Sequence, residues 1–92
     1  MLNENIKRLR SARALSQVEL AKKLGVSKQC VSNWENDNVV PSIDMLIKLA
    51  ELFGVTTDNL LGLDDKRYLA INGLSDKQVA HIQAIIDDLL NK

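Results

Sequence analysis

The chain has 92 residues, of which 12 are basic and 12 acidic, so its formal net charge is zero; 46% of the residues are hydrophobic and only 3% are aromatic. A chain of this length forms one small domain, and a core so poor in aromatic residues is built mainly from aliphatic side chains, as in helix-packed domains. Its single cysteine excludes an internal disulfide and a cysteine-based zinc cluster. No segment has the pattern of a signal peptide or a membrane span, so we expect a cytoplasmic protein with no membrane partner.

The first predicted helix, from about Asn3 to Arg13, is amphipathic and basic. Residues 1–35 contain seven basic and three acidic side chains and carry a net charge of +4, which leaves −4 for the rest of the chain. Zero net charge argues against a polyanionic partner, because nucleic-acid-binding domains usually carry excess positive charge. The uneven distribution nevertheless leaves room for one positive face.

Two short helices follow and are joined by a sharp turn. Ser16 and Glu19 have the spacing of a capping box, which predicts the start of helix 2. Gly25 adopts positive φ most readily and ends this helix, and Ser27 begins helix 3, which runs to about Asn36. Helices this close together indicate a helix-turn-helix motif.

Two further helices complete the first part of the chain. Pro41 and Ser42 precede a predicted fourth helix from Ile43 to Phe53. A short fifth helix begins at position 56 or 57 and stops at Gly62. A five-helix domain is therefore predicted over residues 1–62, followed by an extension over residues 63–92.

The extension is predicted to contain a short strand from Arg67 to Ile71 and a last helix that Ser75 and Gln78 cap and that runs to about Leu90. Six large aliphatic residues form the apolar stripe of this helix: Val79, Ile82, Ile85, Ile86, Leu89 and Leu90. A five-helix core has little surface to cover so many, so we expect the stripe to form a homodimer, with the strand between the subunits. Folding of the tail back onto its own domain is the alternative.

Helix 3 carries its polar residues on one side. At about 100° per residue, Val31 and Trp34 fall together on the inner side, so we assign Trp34 to the core and not to base stacking. The opposite side is amide-rich and uncharged, with a lysine at its N-terminal edge: Lys28, Gln29, Ser32, Asn33 and Asn36. Amides and hydroxyls are the groups that read base edges in the major groove. From this face alone, a plain solvent-facing helix remains the alternative.

The stretches "SQVELAKKLGVSKQCVSNWEN" and "PSIDMLIKLAELFGV" resemble the XRE family, the helix-turn-helix regulators of the lambda and 434 repressor and Cro type. The resemblance covers about residues 3–62. It implies an all-α, five-helix lambda repressor-like domain, here with a C-terminal helix added. It also implies a transcriptional regulator, expected to be a repressor, that binds double-stranded DNA as a homodimer with helix 3 in the major groove.

The resemblance also assigns roles to residues. It implies base contacts from Lys28, Gln29, Ser32 and Asn33, and a phosphate contact from Gln17. The amide N–H groups and the dipole at the start of helix 2 suit a phosphate oxygen as well. We therefore expect phosphate contacts from five residues: Ser16, Gln17, Ser27, Asn36 and Asn38.

The chain matches the family at one pair of charged residues and departs from it in one loop. Arg10 and Glu35 match a pair that in this family joins helix 1 to helix 3, which predicts a partly buried ion pair, with a plain surface pair as the alternative. The "NDNVV" loop departs from the family, whose members commonly have glycine and a basic residue there, whereas this chain has Asp37 and two valines. The departure weakens the expected grip on the DNA backbone.

Other functions remain open. One histidine, one cysteine and scattered carboxylates give no catalytic constellation, so no enzyme activity, metal, cofactor or small-molecule ligand is expected. A first alternative is an antitoxin-like or other protein-binding module in which the acidic second half and the apolar tail bind a partner and DNA binding is secondary. A second is a domain that no longer binds DNA.

Overall fold

The computed structural model describes residues 1–91, which form six α-helices and no strand. The helices are α1 (Leu2–Ala12), α2 (Gln17–Leu24), α3 (Lys28–Glu35), α4 (Ile43–Phe53), α5 (Thr57–Leu61) and α6 (Asp76–Leu90). The predicted all-α class is confirmed. The predicted bounds of α4 match the structure, and those of α1 are displaced by one residue.

Hydroxyl side chains begin every helix after the first. Each accepts a hydrogen bond from the backbone N–H three residues further on, at 3.0 to 3.2 Å. The capping residues are Ser16, Ser27, Ser42, Thr56 and Ser75. Such caps satisfy N–H groups that have no partner inside the helix, so the helix starts are determined by local sequence and were correctly predicted.

The core is formed by α1 to α5 alone. Ten hydrophobic residues are buried, none of them from α6: Ile6, Leu20, Ala21, Leu24, Val31, Trp34, Leu49, Ala50, Phe53 and Leu60. Every one of the five helices contributes at least one of these side chains. Because all five meet in a single cluster, the orientation of α3 depends on the whole domain.

The turn between α2 and α3 is as sharp as the sequence predicts. Gly25 adopts the left-handed conformation with φ +74°, and its N–H donates to the carbonyl of Lys22 at 3.3 Å. The N–H of Val26 donates to the carbonyl of Ala21 at 3.0 Å, which completes the cap. Only Gly25, Val26 and Ser27 separate the two helices. This turn holds α3 against α2 and sets which side of α3 faces outward.

The segment from Arg67 to Ile71, which was predicted to be a strand, forms no strand within the single chain, and its pairing between two subunits stays a prediction. A strand needs a partner to receive its backbone hydrogen bonds, and no second strand exists within residues 1–91. Side chains hold the segment instead. The buried Asn59 donates from Nδ2 to the carbonyl of Asp64 at 2.9 Å and to that of Lys66, and the Tyr68 hydroxyl donates to the Asp64 carboxylate.

The last helix adds nothing to the buried core of the single chain. None of its residues is buried; Val79 and Ile82 are half-buried, and the four other residues of its apolar stripe are exposed. The exposed fractions of Leu89 and Leu90 reach 60% and 78%. The described residues include no helix with both the length and the hydropathy that a bilayer crossing requires.

Candidate nucleic-acid interface

The inner side of α3 is anchored in the core. Val31 is fully buried and Trp34 is 3% exposed, which confirms that the tryptophan packs in the core. On the outer side, Lys28, Gln29 and Asn36 are exposed, and Ser32 and Asn33 are half-buried. The helix therefore presents to solvent the side that the sequence periodicity predicted.

Four of these outer residues form what we call the amide row: Gln29, Ser32, Asn33 and Asn36. Two hydrogen bonds run along it, from Gln29 Nε2 to Asn33 Oδ1 at 3.0 Å and from Asn36 Nδ2 to Ser32 Oγ at 3.3 Å. Both join residues four apart, which are neighbours on a helix surface. The side chains of the row are thus ordered relative to one another in the chain alone.

The pairing leaves hydrogen-bonding capacity on the row. The amide of Gln29 retains its oxygen and a second N–H, and Asn33 retains both N–H groups of its amide. One acceptor and one donor on the same amide match the major-groove edge of adenine, which offers a donor at N6 and an acceptor at N7. The row can therefore bind base edges without first losing its internal hydrogen bonds.

A buried ion pair lies behind the row. Arg10 Nε is 2.6 Å from Glu35 Oε2, and Arg10 Nη2 donates to Glu35 Oε1 at 3.0 Å. The two side chains are only 13% and 2% exposed, which confirms the predicted partly buried pair and rules out a plain surface pair. Arg10 also donates to the carbonyl of Leu15. The pair thus joins α1, the turn before α2, and the end of α3.

Gln17 belongs to the same cluster. Its Nε2 donates to Glu35 Oε1 at 3.0 Å, so the first residue of α2 is tied to the last residue of α3. The second N–H of this amide remains available as a donor. Sequence reasoning found Gln17 and the Arg10–Glu35 pair separately but missed the bond between them. The positions of the two residues, 18 apart in the chain, give no local signal for it.

The charge on Glu35 is maintained by its neighbours. Burial raises the pKa of Glu35, but hydrogen bonds from Arg10 and Gln17 and the positive charges of Arg10 and Lys7 lower it more, so the carboxyl has a pKa below its ordinary value. The hydrogen bond to Glu35 likewise raises the pKa of Arg10. Glu35 therefore stays ionised near neutral pH and remains a strong acceptor for the amide of Gln17.

The other residues expected to contact phosphate lie at helix ends and in the following loop. The hydroxyls of Ser16 and Ser27 accept the capping N–H bonds of α2 and α3, and each still has its own O–H to donate. Asn36 and Asn38 are exposed at the end of α3 and beyond it. The bond between Gln17 and Glu35 places the start of α2 beside the end of α3.

The loop after α3 has no positive charge. Residues 36–47 contain no lysine or arginine, and Asp37 adopts the left-handed conformation with φ +60°. Val39 and Val40 are 51% and 68% exposed. Sequence reasoning noted the missing charges but not the left-handed backbone, for which an aspartate between two asparagines was a signal. No three histidine, cysteine, aspartate or glutamate side chains of residues 1–91 gather in a metal-binding arrangement.

Comparisons with known proteins agree with this geometry. A family model described as "Helix-turn-helix" matches residues 6–60. The regulator ImmR of Bacillus subtilis is 39% identical over 64 residues, which are 70% of this chain and 50% of ImmR. The chain spans about half the length of these curated relatives: 58% of the regulator YobD of Bacillus subtilis and 50% of ImmR.

Solved structures show the same fold. The P22 c2 repressor in complex with a synthetic operator is 30% identical and has a TM-score of 0.66, over 70% of this chain and 97% of that one. The regulator SinR in complex with DNA is 35% identical with a TM-score of 0.61, over 66% and 98% of the two chains. A chain of a SinR–SinI protein complex, 26% identical with a TM-score of 0.63, is matched over the full length of both.

The family model covers more than half of the chain, and its match includes the amide row on α3 and both residues of the ion pair, Arg10 on α1 and Glu35 on α3. The curated relatives include transcriptional regulators and also the antitoxin PezA of Streptococcus pneumoniae, which is 31% identical over 70% of this chain and 40% of its own length. The fold is that of the phage repressors. The chain belongs to the helix-turn-helix family of the XRE type.

Proposed function

We propose that the protein is a sequence-specific DNA-binding transcriptional regulator that represses by occupying an operator as a homodimer, with α3 in the major groove. The observation that carries the proposal is the amide row: an ordered, uncharged, hydrogen-bonding surface opposite the buried Val31 and Trp34. A solvated helix face more often carries charged pairs. The row matches instead the donors and acceptors of base edges.

The proposed base contacts follow from the side-chain chemistry. Gln29 is expected to bind an adenine with its amide oxygen and its second N–H, while Lys28 reaches the acceptors of a guanine. Ser32 and Asn33 contact the bases that follow along the groove. The P22 c2 repressor bound to its operator and SinR bound to DNA, both similar over about two thirds of this chain, support this use of the fold.

The proposed phosphate contacts surround the row. Ser16 and Gln17 lie at the N-terminus of α2, where exposed N–H groups and the helix dipole favour a phosphate oxygen. Ser27, Asn36 and Asn38 are the further phosphate ligands. Contacts of this kind fix the register of the protein on the duplex and are independent of base sequence.

The homodimer is proposed to form through α6. Its stripe includes four exposed large aliphatic residues, Ile85, Ile86, Leu89 and Leu90, that a monomer leaves in water. The SinR–SinI complex, which contains a chain similar to this one over its full length, supports a protein partner for a chain of this fold. Two copies related by a two-fold axis read two half-sites about one helical turn apart.

Selection of bound duplexes from a random oligonucleotide library tests the proposal. We expect enrichment of a two-fold symmetric motif whose half-sites are about 10 base pairs apart, centre to centre. Absence of any enriched sequence at low ionic strength would contradict sequence-specific binding. Enrichment of one unrepeated half-site would retain base reading but contradict the homodimer.

A protein-binding module of the antitoxin type is the second candidate, favoured by the exposed stripe of α6 and the net charge of −4 over residues 36–92. For this candidate we expect a complex with a second protein that is lost when Ile85 and Leu89 are changed to glutamate, with DNA binding secondary to it. An enriched DNA motif together with no second protein bound by the wild type would decide for the repressor.

A further inference from the structure

Helix α1 runs along the end of α3 and the loop that follows it. At one point Arg10 binds Glu35, the last residue of α3. Nearer its start, the first turn of α1 forms a groove with the α3–α4 loop, in which Leu2 and Glu4 line one side and Asp37 and Val39 the other. The two α1 contacts thus involve Glu35 and Asp37, the residues that flank the proposed phosphate ligand Asn36 in the chain.

Lys7 lies between these two contacts. It is exposed, and it precedes Arg10 by three residues, which places both side chains on the same side of α1. Its positive charge acts on Glu35. The ion pairs recorded among residues 1–91 do not include Lys7, so its ammonium group is available to another anion.

The neighbouring Arg8 points elsewhere. It lines a different pocket, together with Val55, Asn59 and Tyr68, beneath the segment that leads to α6. The two adjacent cations of α1 thus face different parts of the molecule. Arg8 provides a control of equal charge one residue away.

The proposed phosphate ligands around the end of α3 are uncharged. Asn36 and Asn38 are amides, Asp37 between them is acidic, and residues 36–47, which are the α3–α4 loop and the start of α4, contain no lysine or arginine. A phosphate held there by amides alone gains little from counterion release, which requires a cationic side chain. The long flexible stem of a lysine allows Lys7 to bring a charge to this edge from α1.

We propose that Lys7 binds a DNA phosphate beside Asn36 and supplies from α1 the positive charge that the α3–α4 loop lacks. This inference rests on the proposed DNA binding and adds a ligand to the same interface. In this proposal Lys7 contacts the DNA backbone and not the bases. Its contribution to the binding free energy is therefore the same on every DNA sequence and decreases as the salt concentration rises.

The test compares the full-length wild type with Lys7→Gln and Arg8→Gln, by fluorescence anisotropy, on the selected operator and on a random duplex between 50 and 200 mM NaCl. Each neutralised phosphate contributes about −0.9 to the slope of log K against log salt concentration. For Lys7→Gln we expect a slope shallower by about 1.8 on both duplexes, about 0.9 for each subunit of the bound dimer, so that its disadvantage against wild type shrinks about 12-fold across this range. Arg8→Gln keeps the wild-type slope, and Lys7→Arg restores it.

Three results overturn the inference, and only the third also overturns the proposed function. An unchanged slope for Lys7→Gln shows that Lys7 binds no phosphate, while the operator preference of the wild type still stands. An unchanged slope with a lower melting temperature shows that Lys7 acts only on Glu35. If the wild type binds neither duplex, the inference and the proposed function both fail.

Discussion

Arg10 contacts both carboxylate oxygens of Glu35, at 2.6 Å from Nε and 3.0 Å from Nη2, and the same carboxylate accepts a hydrogen bond from Gln17. One buried anion therefore joins α1, α2 and α3. It contributes to the stability of the fold and also orients a proposed phosphate ligand, so the two properties can be altered together by a single substitution.

Substitution Glu35→Gln should lower the free energy of unfolding by about 3 kcal/mol, because it leaves the guanidinium of Arg10 largely buried without its anion. Urea denaturation at pH 7 measures the loss. The control is Glu51→Gln, which changes an exposed carboxylate of α4 and should alter stability by less than about 0.5 kcal/mol. Equal losses in the two variants would contradict the structural role of Glu35.

The same carboxylate makes stability depend on pH. The pKa of Glu35 is lower in the folded chain than the value of about 4.3 expected when it is unfolded, so its ionised form stabilises the fold. This stabilisation is complete above about pH 4.3 and is lost as the pH falls through the folded pKa. Thermal melts from pH 7 to pH 3 should show the advantage of wild type over Glu35→Gln shrinking below about pH 4.3. A constant advantage over the whole range would argue against this role.

Substitution Gln29→Ala should weaken binding to the operator by about 1–3 kcal/mol. It should have little effect on binding to random DNA, because the contacts that are lost are to base edges. Gln17→Ala should weaken both by similar factors, since every duplex offers phosphates. Gln83→Ala is the matched control, as Gln83 makes the same kind of bond four residues along its helix, to Asp87 at 2.9 Å, but on α6. Equal losses for Gln29→Ala on every duplex would contradict base reading.

Removal of α6 should convert the dimer into a monomer, as measured by sedimentation. The chain should be cut after Asn72, because a cut before Asp64 would remove the Asp64 and Lys66 carbonyls that accept hydrogen bonds from the buried amide of Asn59. In the full chain, Ile85→Glu with Leu89→Glu should have the same effect.

The control for Ile85→Glu with Leu89→Glu is Ala80→Glu with Ala84→Glu, which places two glutamates at exposed positions of the same helix, away from its apolar stripe. This variant should sediment as the wild type does. If the chain cut after Asn72 remains as dimeric as the full chain, α6 is not the interface.

The two glycines that end α2 and α4 should respond differently to alanine. Both glycines have positive φ, a backbone conformation that is strained for alanine. At Gly25 the added Cβ would lie in open space, so Gly25→Ala should lower the free energy of unfolding by about 1 kcal/mol from backbone strain alone. At Gly54 the added Cβ would also lie 2.6 Å from the Cβ of Ala70, so the loss should be greater. Denaturant unfolding of both variants measures the difference, and equal losses would mean that the segment around Ala70 is readily displaced.

Local signals explain most of the agreement between sequence and structure. The hydroxyl caps and the glycines at helix ends act within a few residues, so they determine where helices begin and end regardless of the rest of the chain. The outward side of α3 was predictable for a related reason: Val31 and Trp34, three residues apart, must share the side that faces the core.

Long-range and partner-dependent features were harder to predict. Asn5 donates from Nδ2 to the carbonyl of Leu60 at 3.0 Å across 55 residues, and nothing near Asn5 in sequence indicates it. The segment from Arg67 to Ile71 has the composition of a strand, but strand formation depends on a partner that residues 1–91 do not provide. The stripe of α6 was visible in the sequence, whereas what covers it depends on contacts outside a single chain.

The length of α3 limits how many base pairs one copy of the chain could contact in the proposed complex. Its eight residues extend about 12 Å, enough to lie along roughly four base pairs of a duplex. A given sequence of four base pairs recurs by chance about once in 256 positions, and a genome offers roughly 10⁶ to 10⁹ competing positions. A single copy would be distributed over thousands to millions of equivalent sites. Only a second copy of α3, held at a fixed spacing, would distinguish one site from the rest.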